Sequence, residues 1–257
     1  MHLNFAAGSS NNVGPDHYSR ITIMKVYNKY SSHSDYTEEQ IKRSENKFQF
    51  CKVSIHDAIK YKKIISKRER IISKNENSIV GGPIACLGTR NGREVDIFRT
   101  VFFGGNITRR LVAAFERRTH SFVSQFPTIE GMNRSDKKYI ESKSVIGVEL
   151  NPSGERKDVL VASFQEMPDE WDGKFNIVYS NAFDQSYNPY KTAKEWERIV
   201  KDGGYIIFCF TEGNEPSRHD PVGGIYLNDV LELFSGDIIY YMKKGSQCNY
   251  SEVILKY

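Results

Sequence analysis

Residues 85–95 read ACLGTRNGREV: a short apolar run, a turn bracketed by Gly88 and Gly92, and a polar opening to the next segment. An apolar run that stops at a glycine turn and hands over to a helix-compatible stretch opens a strand–helix unit, the connection that parallel strands require. On these residues alone the turn has three uses. It can cradle phosphate, hold another nucleotide-like ligand, or simply redirect the chain. A kinase-type phosphate loop is disfavoured, because Gly92 is followed by Arg93 and Glu94 rather than by lysine and a hydroxyl residue.

The same alternation continues downstream. Strand-like runs begin with SIVGGPIACLG (78–88) and recur at SVIGVELN (144–151), DVLVASF (158–164), FNIVYSNAF (175–183), GYIIFCF (204–210), DIIYYMKK (237–244) and SEVILKY (251–257). Helix-compatible stretches separate most of the earlier runs. This order predicts an α/β fold: a Rossmann-like, seven-stranded, mostly parallel sheet with an antiparallel C-terminal strand and flanking helices. Only GSQCNY separates the last two runs, so they are expected to form an antiparallel hairpin at the end of the sheet.

Upstream, residues 1–35 read as a flexible lead, and 36–257 as a single domain. Thr37 with Gln40 suggests a capping box for a helix running to about Phe50, and Ser54 opens a second helix with Ile55, Ile59, Ile64 and Ile65 on one stripe. Both N-terminal helices, within 36–75, are expected beside the main sheet. Residues 93–144 are too many for one crossover and read as an insertion, a helical ITRRLVAAFERRTHSFVSQF followed by a polar loop.

The chain has 257 residues, 39% hydrophobic and 26% charged, the balance of one globular domain. No apolar run reaches the roughly 18 residues of a membrane span. The N-terminus lacks the order of a signal peptide, so a cytoplasmic location is expected. Cys51, Cys86, Cys209 and Cys248 form no CxxC pair, which argues against zinc or a disulfide framework, and no metal is expected. The net charge of +4 falls short of the basic stripe of a dedicated nucleic-acid binder, and the cluster from Lys60 to Arg70 reads as a solvated helix face.

In open α/β sheets ligands bind beyond the carboxyl ends of the strands. Here those ends carry GTRNG (88–92), Glu149, Ser163 with Phe164, and Asn181 to Asp184. An adenosine derivative would use each of them. Glycines permit close backbone approach, Glu149 can accept from a ribose diol, and Phe164 can lie against an adenine face. Taken singly, each has a bland alternative: an ordinary strand-to-helix turn, a capping carboxylate, a core aromatic.

Over about Ile84 to Phe210 the sequence resembles the class I S-adenosylmethionine-dependent methyltransferases, above all in GVELNP (147–152) and in ASFQEMPDEWDGKFNIVYSNAFDQSYNPYKTAKEWERIVKDGGYIIF (162–208). The resemblance implies S-adenosyl-L-methionine as cofactor. It assigns the ribose to Glu149 with Leu150 beside it, and adenine contacts to Ser163, Phe164 and Gln165. It further assigns the cofactor's amino-acid side to Gly88, Thr89, Arg90, Asn91 and Gly92, with Asn181 and Ala182 completing the wall. Three places depart from the family pattern. Cys86 stands where an acid is common, Arg90 where glycine is common, and Ser163 where aspartate is common.

Methyl transfer to a hydroxyl benefits from a general base, and Asp184 and His219 are the candidates, with Tyr187 and Glu212 as acceptor contacts. No DPPY- or NPPF-like motif follows the fourth strand, where NAFD stands. The expected acceptor is a sugar, a glycan end or another polar small molecule rather than nucleic acid. Alternatives are a catalytically inactive module of the same fold and a methyltransferase acting on protein or nucleic acid. A nicotinamide-dependent oxidoreductase is weaker, since GxGxxG spacing is not met.

Overall fold

A computed structural model describes residues 24–46, 51–72, 81–104, 144–243, 245 and 250–257. Most of the expected insertion (105–143) and Cys248 lie outside the described residues. Seven strands form one sheet in the order β3-β2-β1-β4-β5-β7-β6: β1 Ile84–Leu87, β2 Val145–Glu149, β3 Val159–Val161, β4 Phe175–Ser180, β5 Val200–Phe210, β6 Asp237–Met242 and β7 Ser251–Lys256. Only β7 runs antiparallel to its neighbours. The α/β expectation holds.

The central strands β1, β2 and β4 are buried along their whole length, as near-continuous apolar runs in a doubly covered parallel sheet must be. Alternation assigns their side chains to two cores. Ala85 and Leu87 face the layer of α4 (Pro189–Ile199) and α5 (Leu227–Leu233), with Trp196 and Phe208. Ile84 and Cys86 face α2 (Ile55–Ile72) and α3 (Arg93–Phe103), with Tyr61, Val95 and Phe98.

Three expectations about the N-terminal residues are corrected, while the C-terminal hairpin stands as expected, antiparallel at the sheet's end, with β7 between β5 and β6 and β6 at the edge. The reason is apolar demand: β7 buries Val253 and Leu255 on one face and Ile254 on the other, whereas β6 begins with exposed Asp237 and is otherwise half-buried. The first helix, α1, spans His33–Asn46, so Thr37 lies inside it, its hydroxyl donating to the His33 carbonyl at 3.0 Å. The start is set instead by Ser32, whose Oγ accepts from Asp35 N at 3.1 Å. Residues 24–35 are docked and belong to the folded unit: Tyr27 N donates to Pro221 O at 2.7 Å and the Tyr30 hydroxyl to Arg218 O.

α1 also sits elsewhere than expected. α2 does lie against the sheet, opened by a reciprocal box in which Asp57 N donates to Ser54 Oγ at 3.1 Å and Ser54 N to Asp57 Oδ2 at 3.0 Å. α1 instead crosses the carboxyl ends of the strands. Its Tyr36 hydroxyl donates to Gln185 O at 2.8 Å, its Gln40 amide to Arg218 O and His219 O, and its Ser44 Oγ accepts from Asn151 Nδ2 at 2.7 Å.

Candidate functional site

The sheet's connections reverse direction between β1 and β4, which opens a crevice beyond their carboxyl ends. Gly88 forms its floor at φ +74°. A Cβ there would stand 2.6 Å from the Ala182 Cβ and 3.8 Å from the Phe164 ring, so glycine brings the β1 turn against both. Phe164 is held from behind: its carbonyl accepts from Trp196 Nε1 at 3.1 Å and the two rings meet edge-on at 5.9 Å. Glu149 is anchored by backbone donors, Arg90 N to Oε2 at 2.6 Å and Asn151 N to Oε1 at 3.0 Å. Burial raises its pKa against the pull of those donors.

A cavity of about 30 Å³ remains, lined by Gly88, Arg90, Glu149, Leu150 and Phe164 from the strand ends, and by Tyr36, Gln40, Ser44 and Gln185 around α1. Ser163 lies beside it and orders the β3 turn, its Oγ accepting from Gln165 N at 3.2 Å. Gln165 is buried and tied both ways, accepting from Asn188 N at 2.8 Å and donating to the Tyr36 hydroxyl at 3.3 Å.

Not every residue of the turn faces this space. Thr89 is fully buried, and its Oγ1 lies 3.0 Å from the position a Gly147 Cβ would take, so only its backbone borders the ligand side. Gly92 faces away, 2.7 Å from Arg156 Nη1 at its own Cβ position. Asn91 turns back on the chain, its Oδ1 accepting from Arg93 N, the first residue of α3, at 3.2 Å. Arg90 adopts φ +51°, and its guanidinium lies among the charges of Glu94, Arg43, Glu149 and Asp184.

Asp184 lies in the turn after β4, next to Gln185 of the cavity lining. Burial, then the adjacent Asp220 carboxylate, push it up to about 6 against Arg43 and Lys52, and its Oδ1 makes no hydrogen bond among the described residues. His219 is not brought together with it: the imidazole is 61% exposed and sits 3.1 Å from Glu39 of α1. Its neighbour Asp220 reaches inward instead, paired with Arg43. Glu212 is held at the strand hairpin by Tyr241 and Ser251. Tyr187 packs on the rings of Tyr36 and His33 at the crevice rim.

Sequence reasoning missed Glu94 and the α1 residues. Glu94, in the first turn of α3, is 3% exposed; Oε1 accepts from Asn181 Nδ2 at 3.3 Å and Oε2 makes no hydrogen bond among the described residues. Burial pushes it up to about 7. Its position two residues past the second glycine was the available signal. Nothing in α1's own periodicity showed that it crosses the strand ends.

The donor set fits an adenosylated cofactor in kind: a carboxylate at β2, an aromatic face at β3, a Cβ-free floor at β1 and a half-paired buried carboxylate at Glu94. The space does not match while α1 is closed, since ligand pockets of this sort span about 300–1,000 Å³.

No protein-family model matches the chain, and neither does any curated protein. Solved structures resemble it distantly. A SAM-dependent methyltransferase from Thermotoga maritima aligns at 11% identity and TM-score 0.43, over 86% of this chain and 98% of that one. A TehB-like SAM-dependent methyltransferase from Corynebacterium glutamicum gives 12% and 0.42, over 76% and 97%. A 16S rRNA (adenine(1408)-N(1))-methyltransferase mutant from Catenulisporales acidiphilia gives 7% and 0.40, over 80% and 92%. At these values the likeness does not extend to function.

Proposed function

We propose that the chain is an S-adenosylmethionine-dependent methyltransferase that acts on a hydroxyl of a sugar, a glycan end or another polar small molecule. The observation that carries this reading is the convergence of Gly88, Glu149 and Phe164 on one crevice at the sheet's reversal point. When bound, the cofactor supplies an electrophilic methyl group on a sulfonium. Glu149 is placed to accept from a diol, and Phe164 to cover a purine face backed by Trp196. Asp184, at the acceptor side, is the group to take the proton from the attacking hydroxyl. The raised pKa suits a base that must be ionised near neutrality and still bind a proton as the oxygen attacks.

α1 has to move for the cofactor to enter, because Tyr36, Gln40 and Ser44 line a cavity of only about 30 Å³. No described helix is long and apolar enough to cross a membrane. We place the protein in the cytoplasm, where the free thiols of Cys51, Cys86 and Cys209 stay reduced.

The reading is tested by titration calorimetry with S-adenosylhomocysteine and by transfer of labelled methyl groups to saccharides. Binding together with saccharide labelling is expected. Label appearing only on RNA or protein would sink the acceptor assignment. Absence of cofactor binding would favour the second reading, a non-catalytic module of the same fold, which the closed α1 and the missing strand-end acid at Cys86 support.

A further inference from the structure

The strand-end position where an acid would stand is Cys86, and its side chain is turned away from the crevice into the core beneath α2 and α3. A carboxylate nevertheless stands beside this point: Glu94 is the foremost charged neighbour of the Cys86 thiol. We infer that Glu94, reaching from the first turn of α3, binds the ammonium group of the cofactor's amino-acid moiety in place of the missing strand-end acid; this rests on the methyltransferase reading above.

Three observations support it. Glu94 is 97% buried yet only half-satisfied, with Oε1 on Asn181 and Oε2 unpartnered among the described residues. Buried polar atoms are rarely left so, and one at a ligand crevice calls for a donor. Asn181 follows β4 directly, so the carboxylate stands where the β1 and β4 ends part. The guanidinium of Arg90, which lines the cavity, has Glu94 as its foremost charge neighbour, so a cation already stands next to this carboxylate in the closed form. The Cys51 thiol, Asn181, the Cys86 thiol and the Tyr179 hydroxyl are the other polar groups near it, and Asp184 shares the Arg90 guanidinium.

The test compares two probes by calorimetry: S-adenosylhomocysteine, which carries the ammonium, and methylthioadenosine, which lacks the amino-acid part. Glu94→Gln is expected to weaken S-adenosylhomocysteine roughly ten- to a hundredfold, the range for one charge-assisted hydrogen bond, and to leave methylthioadenosine unchanged. Equal weakening of both probes would mean that Glu94 merely supports the fold, and an unchanged affinity for both would also overturn the inference. Should the variant fail to fold, the wild-type protein still decides. Its affinity for S-adenosylhomocysteine should rise as pH increases through about 7, while that for methylthioadenosine stays flat. Parallel pH profiles would refute it. If the wild type binds neither probe, the methyltransferase reading itself falls, and the inference with it; binding without the probe-specific loss overturns the inference alone.

Discussion

Replacing Asp158 with asparagine keeps the shape of a fully buried side chain and removes its charge. Asp158 accepts from Arg99 Nη2 at 2.7 Å, from Arg156 Nε at 2.9 Å and from Arg156 Nη2 at 3.0 Å. Arg99 is itself buried, and Asp96 supplies the second carboxylate, so two guanidiniums are balanced by two carboxylates. Asp158→Asn would leave a positive charge uncompensated there. Breaking one side of such a buried pair costs about 3–5 kcal/mol, a large share of the roughly 5–15 kcal/mol that holds a domain together. In thermal unfolding this corresponds to a fall on the order of 10 °C. The pH dependence gives an independent check. Burial alone would raise the Asp158 pKa, but Arg156 and Arg99 hold it below the ordinary value of 3.8. A depressed carboxylate contributes stability above its unfolded pKa and loses it as pH falls through the folded one. The wild-type advantage in urea unfolding should therefore be full at pH 7 and shrink below about pH 4. The consequence reaches the site, because Arg156 Nη1 also donates to Asn91 O at 3.1 Å and Gly92 O at 3.2 Å, bracing the turn after β1. A loss under about 1 kcal/mol, the size of an ordinary surface change, or a difference that persists undiminished at pH 3, would refute the reasoning.

Other outcomes concern the crevice. Gly88→Ala forces a side chain into φ +74° and within 2.6 Å of the Ala182 Cβ. It should cost about 1–2 kcal/mol in backbone strain and abolish S-adenosylhomocysteine binding by calorimetry, and unaltered affinity would count against the crevice as the cofactor site. The methyl-transfer rate should rise with pH through an inflection near the Asp184 value of about 6, and Asp184→Asn should remove both the inflection and most of the rate. A pH profile that is the same in wild type and variant would exclude Asp184 as base. The double change Asp35→Asn with Glu39→Gln releases Arg218 from α1. These groups are solvent-exposed, so overall stability should change little, but α1 amides should exchange faster and S-adenosylhomocysteine should associate faster. Slower association would show that α1 guides the ligand rather than excluding it.

The order of apolar runs was enough to define the sheet and the crevice beyond the carboxyl ends of its strands. Continuous apolar runs such as FNIVYS can only be satisfied between two helical layers, and the glycine turn after the first such run marks the handover to α3. Glu149 and Phe164 were legible for the same reason, since each lies at or just past its strand's end, and a strand's end is a fixed place in a parallel sheet. Which way the side chains between those landmarks point was settled by folding alone. Cys86 turns into the core while Glu94, from the next helix, is bonded by Asn181 at the end of β4, Gly92 serves Arg156 rather than a ligand, and His219 turns out to Glu39 while Asp220 turns in. α1 could not be placed from its own pattern either. An amphipathic helix records that it buries one face but not which surface it buries it against. Here that surface is made by residues about 110 to 180 positions away, Asn151, Gln185 and Arg218, which meet only once the sheet has formed.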